Sequence, residues 1–327
     1  MHIPENYLSP ETCAVLAVAA IPALYVCAKR VKEKVSQDQL PLVGVGAAVS
    51  FLLMMLNIPV PGGTSAHAVG GTLLAVLLGP EAAVLAVSAA LLIQAVFFGD
   101  GGILALGANI FNISIMLPIC GYGTFKLLKQ WMPNTVAAAI GGYVGINVAA
   151  FLTAVEFGIQ PMLFHDINGL ALYSPYPLSI SIPAMMIAHL TIAGLAETIF
   201  TGAIYSFVRT IDTGKQAEAI SLNKKALYGL IAFLIVICPL GLITEVPAWG
   251  EWGSEEIAEV VHNGTVLGYT PVGMVNGFEW TSPITDYEFP GLPEVTGYIV
   301  SAIIGVALLV IIFKLASSLF YSPKGVK

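Results

Sequence analysis

Residues 66–79 read AHAVGGTLLAVLLG. The run is apolar, yet it is shorter than the roughly 20 residues that carry a helix across a ~30 Å hydrocarbon core. Whether it counts as a crossing decides the topology. Eight longer apolar runs flank it, near 11–28, 41–57, 83–98, 103–128, 134–156, 181–208, 226–243 and 296–319. With the short segment there are nine spans, an odd number, so the two chain ends fall on opposite sides of a bilayer. The basic residues test this count, because Lys and Arg stay on the cytoplasmic side. Lys29, Arg30, Lys32 and Lys34 follow the first run, and Lys126 and Lys129 the fifth. Arg209, Lys215, Lys224 and Lys225 lie between the seventh and eighth, and Lys314, Lys324 and Lys327 end the chain. Nine spans put all 13 basic residues inside. Dropping residues 66–79 would break the alternation. The N-terminus is then expected outside and the C-terminus in the cytoplasm.

Composition agrees with a lipid solvent. Of 327 residues 57% are hydrophobic and only 10% charged, with a mean hydropathy of +0.86, whereas soluble domains carry about 25% charged residues. A net charge of −7 leaves no basic face for nucleic acid. Cys13, Cys27, Cys120 and Cys238 stand singly in apolar stretches, which fits small packing residues rather than a disulfide framework or a zinc motif. The opening MHIPENYLSPE has no basic n-region and no cleavage site of the secretory kind, and Met1 is expected to be retained before the large His2. Near the other end, residues 244–294 hold nine acidic residues, no basic ones, and Trp249, Trp252 and Trp280. With turn signals in VPAWGEWG, TSPIT and FPGLP, this reads as a small outer module with short strands around 258–275.

Three segments carry residues that lipid-facing helices avoid. They are Met1–His2; PVPGGTSAHAVGG (59–71), with Gly62, Gly63, Thr64, Ser65 and His67; and FFGDGGILALGANIFN (97–112), with Asp100, Asn109 and Asn112. All three fall on the outer face of the nine-span topology. Irregular, Gly/Pro-interrupted backbone at membrane depth survives where it lines a cavity, and such segments point to transport sites. A free Met1 amine, the His2 amide nitrogen and His2 Nδ1 can close a five- and a six-membered ring on one metal ion. Ligation through a deprotonated amide favours Ni²⁺ or Cu²⁺ in a square of nitrogens. His67 is the best candidate for the fourth. Ser65 and Asp100 are expected beside the ligands. His189 and Glu197 in the seventh run, His165 and Asp166 in a loop, and His262 in the outer module are weaker candidates. An intramembrane Glu is costly, so Glu197 is expected to be paired within the bundle or to sit at a partner interface.

No G-x-x-x-x-G-K-[ST] run is present, since Gly214-Lys215 is followed by Gln216. H-E-x-x-H and G-x-S-x-G are missing as well. Energy for uphill uptake would therefore come from another chain. A hydrolase using Ser65 with His67 or His189 lacks a third orienting group. An ATPase-independent channel or secondary transporter is a further alternative.

MHIPENYLSP, GGTSAHAVGG and QAVFFGDGGILALGANIFN closely resemble the NikM/CbiM family, the substrate-specific components of energy-coupling factor (ECF) transporters for nickel and cobalt. The resemblance covers about residues 1–210. It implies an all-α bundle of seven transmembrane helices, metal held by the N-terminal amine, His2 and His67, and Asn109 beside them. GGTSAH with FGDGG looks more like the nickel branch, with cobalt uptake for cobalamin biosynthesis as the alternative. Residues 226–327 resemble the accessory NikN type, two helices bracketing the outer loop 244–294, joined to the first part by a cytoplasmic linker at 211–225. The Pro-Asp-Gly-Leu-Glu signature of some accessory chains is absent, and EVPAWGEWG stands in its region. By family, the partners are a transmembrane coupling protein and cytoplasmic ATPase subunits.

Overall fold

The computed structural model describes residues 1–37, 39–60, 64–211, 224–243, 247–262 and 265–320. Almost the whole of the expected linker 211–225, with Gly214 and Lys215, lies outside the described residues, as do Gly62, Gly63, Lys324 and Lys327. The architecture is an all-α bundle with two short hairpins. Helix α1 is Pro10–Lys34 and α2 is Leu40–Met54. A hairpin of β1 (Ile58–Val60) and β2 (Thr64–Ala66) leads to α3, Gly71–Leu78. Then come α4 (Pro80–Phe98), α5 (Leu106–Leu128), α6 (Asn134–Leu163) and α7 (Leu178–Thr210). A second small hairpin, β3 (Val261–His262) with β4 (Thr265–Val266), separates α8 (Lys224–Ile237) from α9 (Glu294–Phe320).

Among the described residues six helices are long and apolar enough to cross a membrane: α1, α4, α5, α6, α7 and α9. α2 and the segment Leu227–Ile243 are shorter apolar helices. The segment 66–79 differs from a plain helix. Its helical part has eight residues, a rise of about 12 Å at 1.5 Å per residue, and His67 precedes it on extended chain after β2. Gly70 turns the backbone with φ 73°, a value that glycine adopts without steric cost.

α2 lies at the centre. From Val43 to Met54 every residue is buried, as expected of a helix apolar on all sides. The last helix packs directly on it. A Cβ on Gly305 would meet the Phe51 ring, and one on Gly44 would fall 2.8 Å from Phe313 Cβ. The glycines therefore set how closely the C-terminal third approaches the first bundle.

The helices deviate from α geometry where they carry polar residues. Single π-helical stretches occur at Gln94–Phe98, Ile110–Met116 and His189–Ala193, a distortion often found at functional sites. Residues 247–262 and 265–293 cover the end of the bundle where the chain begins. Asn6 mimics a strand against Phe278: its Nδ2 donates to the Phe278 carbonyl at 2.9 Å, and its Oδ1 accepts from Phe278 N at 3.0 Å. Trp280 Nε1 donates to Val96 O at 3.0 Å, and Gly273 N to Leu172 O at 2.8 Å. The opposite end of the bundle holds the end of α1, where Lys34 and Arg30 meet Glu81 at 3.0 and 3.2 Å.

Candidate metal centre

The first nine residues are threaded into the bundle rather than trailing from it. Met1, His2 and Ile3 are buried, as are Tyr7, Leu8 and Ser9. Backbone and side chain cooperate in this. Asn109 accepts from Ile3 N through Oδ1 at 2.7 Å and donates to Ile3 O through Nδ2 at 3.0 Å, a two-point clamp on the residue after His2. Gly102 N donates to Ile3 O at 2.9 Å. A Cβ on Gly102 would lie 2.8 Å from Glu5 N and Cα, so this approach requires glycine. The Glu5 carboxylate accepts from Ile103 N and Leu104 N at 2.6 and 3.1 Å, satisfying two amides of the turn that leads into α5.

His67 is placed by its own hairpin and by α7. After β2, the amides of Val69 and Gly70 donate to the Glu197 carboxylate at 2.7 to 3.0 Å. Glu197 is thus paired within the bundle, one of the two expected outcomes, and it supplies the cap that Gly70 lacks at the start of α3. Ser50 Oγ donates to Val69 O at 2.7 Å.

These supports bring His2 and His67 together. Their rings stack with centroids 4.9 Å apart and planes 25° from parallel, and the two residues are only 3% and 4% exposed. Each Nδ1 faces an acceptor. His2 Nδ1 lies 2.9 Å from Asp100 Oδ1, and His67 Nδ1 lies 3.2 Å from Ala68 O. A carbonyl can only accept, so His67 Nδ1 carries the proton and its lone pair sits on Nε2. Both Nε2 atoms are buried without a hydrogen-bond partner. Buried polar atoms are normally satisfied, so a pair of adjacent unpartnered imidazole nitrogens is a cation-type donor set.

Asp100 anchors one side of this pair. Its Oδ2 accepts from Tyr287 OH at 2.6 Å and from Gln94 Nε2 at 3.0 Å. Burial raises the Asp100 carboxyl, but the neighbouring His2 imidazole and the hydrogen bonds from His2 and Tyr287 outweigh it and hold the group below the usual carboxylate range. On the other side, Glu251 Oε1 is 2.6 Å from the Met1 amine. His2, His67 and Glu251 offer ligand atoms within 4.8 Å of one another, the group of this kind found among the described residues. A cavity of about 310 Å³, lined by His2, His67, Asp100, Glu251, Tyr287 and Asn57 among others, opens on them.

Of the residues expected from the sequence, Met1, His2, His67, Asp100 and Asn109 converge here. Ser65 is buried and its backbone bridges Ala248. His189 Nδ1 faces the Met185 carbonyl of its own helix at 2.8 Å and is not in the cluster. His165 is exposed, and Asp166 caps a turn through Asn168 N and Leu170 N at 2.8 Å. The side chain of His262 is outside those described. Sequence reasoning missed Glu251, Tyr287 and Gln94, whose only signals were an acidic, aromatic outer segment and a polar residue in an apolar run. One difference concerns His2. A chelate through Nδ1 requires its ring to turn about Cβ–Cγ so that Nδ1 leaves Asp100. Replacing Asn109 by alanine releases the Ile3 clamp, and Ni²⁺ affinity is expected to fall about 10- to 100-fold, the usual cost of losing a group that orients a ligand, with titration calorimetry as the measurement.

Fold and centre together define a class, an all-α polytopic membrane transporter with a metal-type donor pocket at one end of its bundle. Residues 2–213 match the family described as the cobalt uptake substrate-specific transmembrane region, CbiM, and residues 223–322 match the PDGLE domain, although the Pro-Asp-Gly-Leu-Glu run itself is absent. The chain belongs to the CbiM family and is of the fused NikMN type. It is 44% identical over 317 residues to the probable fused nickel transport protein LarMN of Lactiplantibacillus plantarum, covering 96% of this chain and 97% of that one. To the fused nickel transport protein NikMN of Rhodobacter capsulatus it is 43% identical over 330 residues, covering 95% of each. A crystal structure of a truncated transition metal transporter is similar with a TM-score of 0.62 and 53% identity, over 64% of this chain and 99% of that one.

Proposed function

We propose that this protein is the substrate-capture subunit of an ATP-driven ECF importer for nickel. The ion binds at the outer face through the Met1 amine, the His2 amide nitrogen, His2 Nδ1 and His67. The observation that carries the reading is the stacking of His2 on His67 beside the buried Met1, with His67 Nε2 buried and unpartnered. Each ligand nitrogen must be free of its proton to bind. Residues 1–210 form the capturing part. Residues 226–327 form an accessory part whose outer loop closes over it, with 211–225 as the cytoplasmic linker. The N-terminus lies outside and the C-terminus in the cytoplasm. A coupling protein and two cytoplasmic ATPases, as separate chains, supply the energy. The chain is a transporter subunit and not an enzyme.

Nickel is favoured over cobalt by the square of nitrogens and by the nickel names of the two fused relatives. Cobalt remains the second reading, because cobalt transport proteins CbiM are 35% identical over shorter stretches, 169 residues in that of Clostridium cellulovorans. Titration calorimetry on the full chain with a native N-terminus tests the choice. Ni²⁺ is expected to bind more tightly than Co²⁺, and equal or tighter Co²⁺ binding would overturn it. Metal accumulation in cells without the coupling subunits would instead favour an ATPase-independent channel.

A further inference from the structure

We propose that Glu251 is a metal ligand in its own right, forming with His2 Nε2 and His67 Nε2 a loading site that takes Ni²⁺ or Co²⁺ from outside before the ion reaches the nitrogen chelate. The proposal rests on the reading of His2 and His67 as ligands. It adds a donor from the C-terminal third of the chain.

Three observations carry it. The first is reach, because ligand atoms of His2, His67 and Glu251 lie within 4.8 Å of one another. Opposite ligands on one ion stand about 4 Å apart at about 2 Å per bond, so a side-chain shift of about 1 Å closes the site. The second is the state of the imidazoles. Both Nδ1 atoms are engaged, with Asp100 and Ala68, while both Nε2 atoms are buried and unpartnered. As placed, the rings offer Nε2 and not the Nδ1 that the chelate needs. The third is the way Glu251 is held. The backbone at Ala248 bridges Ser65, two residues before His67, and Thr64 Oγ1 donates to Pro247 O at 3.2 Å. Trp249 and Trp252 pack with Tyr176 at 5.3 and 5.8 Å. Between them, Gly250 turns at φ 85°, where a Cβ would come within 2.6 Å of the Phe157 ring. The turn that presents Glu251 is thus tied to the hairpin that presents His67. Its side chain is 22% exposed where both histidines are buried, so it stands between solvent and the rings.

One carboxylate and two imidazoles suit several divalent ions alike, which is what a first contact requires. In the structure the same carboxylate holds the Met1 amine at 2.6 Å. An ion taken by Glu251 frees that amine. As the ion moves on, the ammonium and the His2 amide each lose one proton to the cavity, the His2 ring proton passes from Nδ1 to Nε2, and Glu251 is released as the free carboxylate.

Stopped-flow mixing of the purified full chain with Ni²⁺ separates the steps. In the wild type a concentration-dependent phase is expected first, then a slower concentration-independent rise of the square-planar absorption band. Glu251→Gln is expected to slow the first phase about tenfold or more while keeping the final band. A negative charge at a cleft mouth also speeds cation capture by about 10-fold or more through steering alone. Steering disappears in roughly 1 M salt, where the Debye length is about 3 Å; loss of a ligand persists there. An unchanged first phase in Glu251→Gln, a defect abolished by high salt, or loss of the final band in both Glu251→Gln and Glu251→Asp would each overturn the proposal. If the wild type never develops the square-planar band but its first phase still depends on Glu251, the chelate reading fails and the loading site stands.

Discussion

His67→Ala is expected to lower Ni²⁺ affinity by more than about 100-fold and to abolish uptake, since losing a residue that merely orients a ligand already costs 10- to 100-fold. His67 is buried, and its Nδ1 is committed to Ala68 O. Its Nε2 therefore faces the cavity with nothing in the described structure to satisfy it. Alanine removes this donor while leaving the fixing contacts, the Val69 and Gly70 amides on Glu197, in place. The protein should remain folded, and an unchanged melting temperature in detergent would check that. Ser65→Ala is the matched control, with uptake expected unchanged. Retained nickel binding in His67→Ala would remove His67 from the coordination sphere, and loss in Ser65→Ala alone would revive a hydrolytic reading.

A single glycine added before Met1 should be as damaging to uptake. The Met1 nitrogen becomes a peptide nitrogen, and a Gly-Met-His terminus would hold the ion by its own four nitrogens, apart from His67. The surroundings leave no slack. Met1 is 2% exposed, its amine meets Glu251, and Ile3 is gripped on both its N–H and its carbonyl by Asn109. The added residue would have to enter a closed pocket or push His2 out of register with His67. Nickel uptake by cells carrying the extended and the native protein, with intact mass confirming each N-terminus, is the measurement. Equal uptake by the two would sink the chelate.

Much of the fold was legible because lipid leaves a plain signature. α1 and α9 are long apolar runs; α9 agrees with that reading within two residues at each end, and α1 continues past the apolar run to Lys34. The segment 66–79 was harder. Apolarity there is shared between extended chain, a left-handed glycine and eight helical residues, and hydropathy does not distinguish these. At the site, His2, His67, Asp100 and Asn109 could be picked out because polar residues are conspicuous in an apolar sequence. Their partners could not. Glu197 binds backbone amides, which have no side-chain signature. Glu251 meets an amine 250 positions away, a separation at which no periodicity reports. The orientation of the His2 ring depends on Asp100 winning one nitrogen, a contest decided by tenths of an ångström.

The pairing of Asn6 with Phe278 also has a consequence for biogenesis. On the ribosome Asn6 is among the first residues made, and its partner follows 272 positions later. At synthesis rates of 5–20 residues per second the leading segment waits roughly 14 to 54 s for the strand-like contact that seals it. During that interval the chain's first residues lie without this cover, and afterwards they are sheltered. The wait is thus set by the length of the polypeptide, and a pause in translation before residue 278 would lengthen it.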